Sequence, residues 1–239
     1  MKPINTVADC IFDVHFESNI AIEILLAHIS MANFDQITKL PISQIPEPVR
    51  KNDPNLKIQP LYEFRSESIK DYKILLGDSV LGIAIDNQRY TSWTKSFFPQ
   101  IKKIFEEVIK SKKIESISRL GLRYVDFLPN ENIFETGKIN ININRVPAID
   151  KKMFFRVEDK VDSISYNKIV LNNVEYNNRE GVGSIIDITT FIDTKKYILD
   201  SEEFNIDNFF EVIDNLHTVN KDKFKEVISD GMAEQYGLL

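Results

Sequence analysis

Ser116-Ile117-Ser118-Arg119-Leu120-Gly121-Leu122-Arg123-Tyr124-Val125-Asp126-Phe127-Leu128 is the stretch from which the fold is read. Its alternation has a period of two, the mark of a β-strand. Leu120, Leu122 and Tyr124 fall on one face, and Arg119, Gly121 and Arg123 on the other. A glycine inside a strand is costly and marks a bulge or a close approach of another group. Two arginines beside a bare glycine form a shallow cationic notch, and the planar guanidinium fork suits carboxylate or phosphate. Two readings stand open. In one, Arg119 and Arg123 pair with acids of neighbouring elements, such as Asp13, Glu17 or Glu63, and Gly121 relieves crowding. In the other, Arg119, Gly121 and Arg123, with Arg65 as a further cation, bind an anionic ligand or an acidic partner segment.

Outward from this strand the same period recurs. Asp9–Glu17 sets Cys10, Phe12, Val14 and Phe16 against Ile11, Asp13, His15 and Glu17. Further strands are expected at Gln59–Arg65, Tyr72–Leu76, Val80–Ile85, Gly137–Arg145, Met153–Val157, Ser163–Leu171 and Ser184–Ile192. Gly77 is expected to give the tip between the second and third of these a positive φ. Helices are expected at Ile20–Ile29, capped by Asn19, and over the stripe Trp93, Phe97, Ile101, Ile104, Phe105 and Val108. Within that stripe Pro99 implies a kink or a cap at Ser96. A helix is expected again from Asp207, and Asn220 is read as the cap of a last one. Five prolines between Lys39 and Pro60 leave no room for a long regular element, so this stretch is a linker or a partner-binding arm. Strands followed by helices, twice, give an α+β fold of largely antiparallel sheet with helices on one face. The chain reads as a single unit, with two similar halves, 1–130 and 137–239, as one way to divide it.

Composition narrows the function classes. A chain of 239 residues with 43% hydrophobic and 28% charged residues builds a core without staples. Its net charge of −6 argues against nucleic-acid binding as a property of the whole protein. The lone Cys10 excludes an intrachain disulfide and fits a reducing, cytoplasmic setting, with no membrane association expected. No phosphate loop, dinucleotide fingerprint or nucleophile elbow is present, so no catalytic residue is singled out by motif, and no metal or cofactor is expected. His15, His28 and His217 lack metal-ligand spacing. Two strings fit a metal-dependent nuclease loosely: Asp150 with Glu158 and Lys160, and Asp187 with Asp193 and Lys195. Their acids would hold a divalent cation and the lysine would steady the attacking water.

The strand Asp9–Glu17, the run Tyr62-Glu63-Phe64-Arg65-Ser66, Tyr90 with Trp93, and above all Arg119-Leu120-Gly121-Leu122-Arg123-Tyr124 carry a resemblance. Over most of its length the chain is similar to a sporadically distributed family of uncharacterised prokaryotic proteins. It departs from that pattern in the apolar helix after Asn19. The resemblance brings no catalytic residues, and the patchy distribution implies a defence or toxin–antitoxin role. The leading expectation is a non-enzymatic recognition or regulatory protein that binds a protein partner. The alternatives are a metal-dependent hydrolase or nuclease, and a nucleotide or small-ligand binder with a pocket between sheet and helices.

Overall fold

Alternating apolar residues pair into a nine-stranded sheet in which every described neighbour is antiparallel. The computed structural model describes residues 5–18, 20, 24, 36–66, 71–86, 89–147, 151–176, 181–199 and 201–236, with backbone alone at 86, 143 and 194–196. The strands are β1 Val7–Glu17, β2 Gln36–Lys39, β3 Pro60–Arg65, β4 Lys73–Gly77, β5 Val80–Asp86 and β6 Ser116–Pro129. After β6 come the short pair β7 Asn142–Ile143 and β8 Val146–Pro147, then β9 Phe154–Val161, β10 Ile164–Glu175 and β11 Val182–Ile198. Their order across the large sheet is β2-β3-β4-β5-β1-β6-β11-β10-β9.

That order has an internal symmetry. A leading strand, β1 or β6, is followed by a meander whose last strand returns beside it and then by a helix, the meander having four strands after β1 (β2 to β5) and three after β6 (β9 to β11). The two leading strands pair with each other at the centre of the sheet. The two groups of strands, β1–β5 and β6 with β9–β11, divide ahead of β6 rather than between 130 and 137, and they share one continuous sheet joined at the β1–β6 seam.

The described helices are short α1 Glu47–Asn52 and α2 Pro54–Lys57, then α3 Phe98–Lys110, α4 Ile133–Thr136, α5 Ile206–Lys225 and α6 Asp230–Gln235. Ile101, Phe105 and Val108 of α3 and Phe209, Phe210, Ile213 and Leu216 of α5 cover Phe12, Leu120, Leu122 and Ile83 on one face of the sheet. Phe12 meets Phe105 edge to face at 5.4 Å. Each such fully buried side chain contributes roughly 1.5–3 kcal/mol. A second cluster, with Leu128, Val170, Ile186, Phe224 and Val227, continues the core under the end of α5.

Several expectations are corrected. Gly77 does not have a positive φ. Its small size serves a close approach, since a Cβ there would stand 2.2 Å from the Gln59 carbonyl oxygen. Pro99 lies in the first turn of α3, which is entered through a π-turn at Trp93–Phe97 capped by Ser92 rather than Ser96. The wider turn accommodates the missing proline N–H without a kink. Gly137–Arg145 is not one strand: only Asn142–Ile143 pairs, with Val146–Pro147. Ile139 and Ile141 instead pack against the second cluster. Asn220 caps nothing. It lies buried inside α5 and donates to the carbonyls of Ile188 (2.9 Å) and Leu122 (3.4 Å), tying the helix to the sheet. Apart from Ile20 and Ile24, the expected helix Ile20–Ile29 lies outside the described residues, as do its Asn19 cap and His28.

The proline-rich stretch is built rather than loose. Pro41–Gln44 forms a 3-10 turn, followed by α1 and α2. Asp53 caps α2 through the Asn55 and Leu56 amides. The buried Arg50 donates to Asp78 at 2.9 Å and to the Ile45 carbonyl, and so fastens the stretch to the β4–β5 tip.

Candidate functional site

Among the described residues, the long helices α3 and α5 cover one face of the sheet. On the other, the register sets Leu75, Gly82, Asp13, Gly121 and Phe191 in a row across β4, β5, β1, β6 and β11. Asp13 thus has a glycine on both sides. A Cβ on Gly121 would lie 2.8 Å from its Oδ1, so Gly121 makes room for this carboxylate. No bulge falls at Gly121: the β1–β6 register shifts only near Ala8 and past His15.

Asp13 carries its partner two residues along the same face. His15 Nε2 stands 3.5 Å from Asp13 Oδ2, with the side chains 19% and 28% exposed. Burial raises the Asp13 pKa, opposed by His15 and then by Arg119. Burial likewise lowers that of His15, against the pull of Asp13. Desolvation outweighs attraction for both groups, so the pair is held short of full charge separation.

Arg119 completes the constellation. It lies between His15 on β1 and Asp193 on β11. Its guanidinium carbon sits 4.1 Å from the Phe191 ring centroid, a cation–π contact. Its Nε is buried and has no hydrogen-bond partner. Asn167 Oδ1 is the other buried side-chain polar atom without one among the described residues. Asn167 pairs with Thr189, which pairs with Arg123, so it belongs to the same helix-free face. An orphan donor and an orphan acceptor therefore look out of one surface, with Phe191 lying between their strands. Leaving such atoms unpaired costs about 1–3 kcal/mol each.

Arg123 behaves differently. Its Nε and Nη2 donate to Asp187 Oδ1 and Oδ2 at 2.9 and 2.7 Å, a bidentate fork. Asp187 is diagonal to it, the residue directly opposite being Thr189. None of the acids expected from sequence takes it. The Asp187 side chain is 13% exposed while that of Arg123 remains 46% exposed, so the guanidinium keeps an open edge. Beside it Tyr176 donates its hydroxyl to Asp9 and stacks on Phe127. Arg65 stands apart from the notch. It pairs with Glu63 on its own strand at 2.7 Å, and β4, β5 and β1 separate it from β6, a distance of roughly 19 Å.

The described nuclease candidates do not share a cleft. Glu158 and Lys160 lie on the edge strand β9, with Glu158 paired to Arg156. Asp187 is occupied by Arg123, and Asp193 lies six residues along the same strand, about 20 Å away. Asp150 and the Lys195 side chain lie outside the described residues. Among the described residues no three His, Cys, Asp or Glu side chains gather as metal ligands, and no helix is long and apolar enough to cross a membrane. A cleft of about 360 Å³ opens at the end of β1, lined by Glu17, Lys51, Lys57, Asp78 and Ser79 among others. Its charges are partly engaged internally, Lys51 with Glu47 and Asp78 with Arg50.

On the covered face a polar chain crosses the helix–sheet layer. Tyr90 and Tyr124 share a hydroxyl contact of 3.1 Å, and Tyr124 reaches His217 Nδ1 at 3.3 Å. His217 stacks on Trp93 at 4.3 Å, whose Nε1 donates to Asp214 at 2.6 Å. Burial pushes the His217 pKa down to about 4. It also raises the thiol of Cys10, which is fully buried as its strand position implies, and the hydroxyls of Tyr90 and Tyr124.

Searches against family models, characterised proteins and solved structures find no match for this chain.

Proposed function

We propose that this is a recognition protein without chemistry of its own, whose helix-free sheet face takes a segment of a protein partner. One observation carries the reading: a buried donor at Arg119 and a buried acceptor at Asn167, both without a partner, belong to that one face. A polypeptide offers both complements at once, a carbonyl or carboxylate for the guanidinium and an amide N–H for the asparagine. An acidic side chain suits Arg119 best, because among the described residues its buried Nε has no hydrogen-bond partner. The open edge of Arg123 supplies a second charge nearby. Phe191, opposite Gly121, and Ile11, opposite Arg123, add apolar area beside the two arginines. The setting implied by the Arg119–Tyr124 resemblance is a defence or toxin–antitoxin module in the cytoplasm, with the partner encoded beside this protein.

The test is retention from native extract, with Arg119→Glu and Arg65→Glu compared against the parent protein. The partner is expected to stay with the parent and with Arg65→Glu, and to be lost from Arg119→Glu while the circular dichroism spectrum stays unchanged. Retention that is indifferent to Arg119→Glu removes the reading.

A further inference from the structure

The two outer strands of the sheet differ. β2 has four residues, and so short an edge offers little to pair with. β9 has eight, Phe154-Phe155-Arg156-Val157-Glu158-Asp159-Lys160-Val161, paired with β10 on one side. Among the described residues no backbone group of β9 bonds to anything on its other side. The amide of Lys160 is taken by the carboxylate of its neighbour Asp159, at 2.8 Å, and this is the single local cover along the strand. Phe154, at the start of the strand, is 63% exposed. An edge of this length with a bare aromatic is a template for another strand.

The charge pattern selects the occupant. Arg156, Glu158 and Lys160 alternate on the helix-free face, while Phe155 turns toward the second core cluster. We propose that β9 pairs antiparallel with β9 of a second copy of this chain, on a two-fold axis at Val157, joining the two sheets edge to edge. In this register each Arg156 faces Glu158 of the other copy, twice over. Phe154 lies opposite Lys160, whose stem covers the ring, and Phe155 lies opposite Asp159. Opposite charges directly across a ladder stabilise it, and like charges destabilise it. Centring on Glu158 would set Arg156 against Lys160 and Glu158 against itself. Centring on Asp159 would set that carboxylate against its own copy. The strand is self-complementary about Val157 and not about Glu158 or Asp159, and an isologous two-fold contact requires self-complementarity. The pairing is independent of the reading of the Arg119 face.

Sedimentation of the full chain across about two decades of concentration reads the dimer directly. The parent protein is expected to dimerise. Arg156→Glu and Glu158→Arg each place like charges together on both sides of the axis, and each is expected to weaken the dimer at least tenfold. The chain carrying both changes restores every opposite pair and is expected to regain parental affinity. Position 157 alone faces itself, so Val157→Cys is expected to cross-link to its own copy under mild oxidation, whereas Glu158→Cys is not. Cα separations across a ladder suit a disulfide. A parent protein that sediments as a monomer throughout, single variants that dimerise like the parent, or a double variant that fails to recover would each overturn the proposal.

Discussion

Asp13 illustrates how one residue can set the identity of its neighbours on two strands. Gly82 and Gly121 both face it, and at Gly121 any side chain would enter its carboxylate. Gly121→Ala is therefore expected to destabilise the protein by about 1–3 kcal/mol, as overpacking does. In an Asp13→Ala background the same change should cost much less, because its obstacle is gone. Urea midpoints of the four chains measure this coupling, and equal costs in both backgrounds would assign Gly121 to some other constraint. His217 gives a second handle at this scale. Its folded pKa is about 4, below that of a free histidine, so the unfolded chain binds the extra proton between those values. Stability should fall as pH drops from about 6.5 toward 4, by at most about 1.4 kcal/mol per pH unit from this group. His217→Phe keeps the ring against Trp93 and should flatten that dependence, read as the difference in midpoint between pH 7 and pH 5.

Among the elements, the proline-rich stretch shows what is and is not legible in sequence. Five prolines do exclude a long helix or strand, and none is found. What proline spacing hides is the single side chain that anchors the stretch. Arg50 is buried against Asp78, itself only 5% exposed. Removing one partner of such a pair leaves a buried charge without compensation, at about 3–5 kcal/mol. Arg50→Ala should thus destabilise the fold by that order and make residues 41–57 the first site of limited proteolysis. A variant that resists cleavage there like the parent would mean the helices α1 and α2 hold themselves. Strands were readable wherever alternation met a covered face, as in β1 and β6. The alternation of Ile139, Ile141 and Ile143 misled because Ile139 and Ile141 pack against the second core cluster and need no ladder. Asn220 misled for the opposite reason: a buried asparagine within a helix looks like a cap until the strand carbonyls it bonds are known. The site suffers most from this. Arg119, Gly121 and Arg123 stand out in one strand, but pairing Arg123 with Asp187 and setting Asp13 between two glycines require the register, which no single strand contains.

Over the whole molecule the β1–β6 seam makes the two halves one cooperative body. Leu120 and Leu122 of the second half lie in the same core cluster as Phe12, Phe105 and Ile83 of the first. Thermal or urea unfolding should accordingly follow a single transition, coincident by far-ultraviolet and aromatic circular dichroism. Two separated transitions would show that each half keeps its own core.

The central place of β1 also bears on how the chain is made. β1 is synthesised first, and β5 closes one of its sides while the first half is still emerging. Its other side is filled by β6, which begins about 30 residues after β5 ends. At about 5–20 residues per second, translation leaves the middle of the future sheet open as a nascent edge for on the order of seconds. During that interval Ile11, Asp13 and His15 stand beside a vacant lane. The polar side chains of Asp13 and His15 keep the waiting edge from being uniformly greasy, and protect the ribosome-bound intermediate from pairing with the wrong strand.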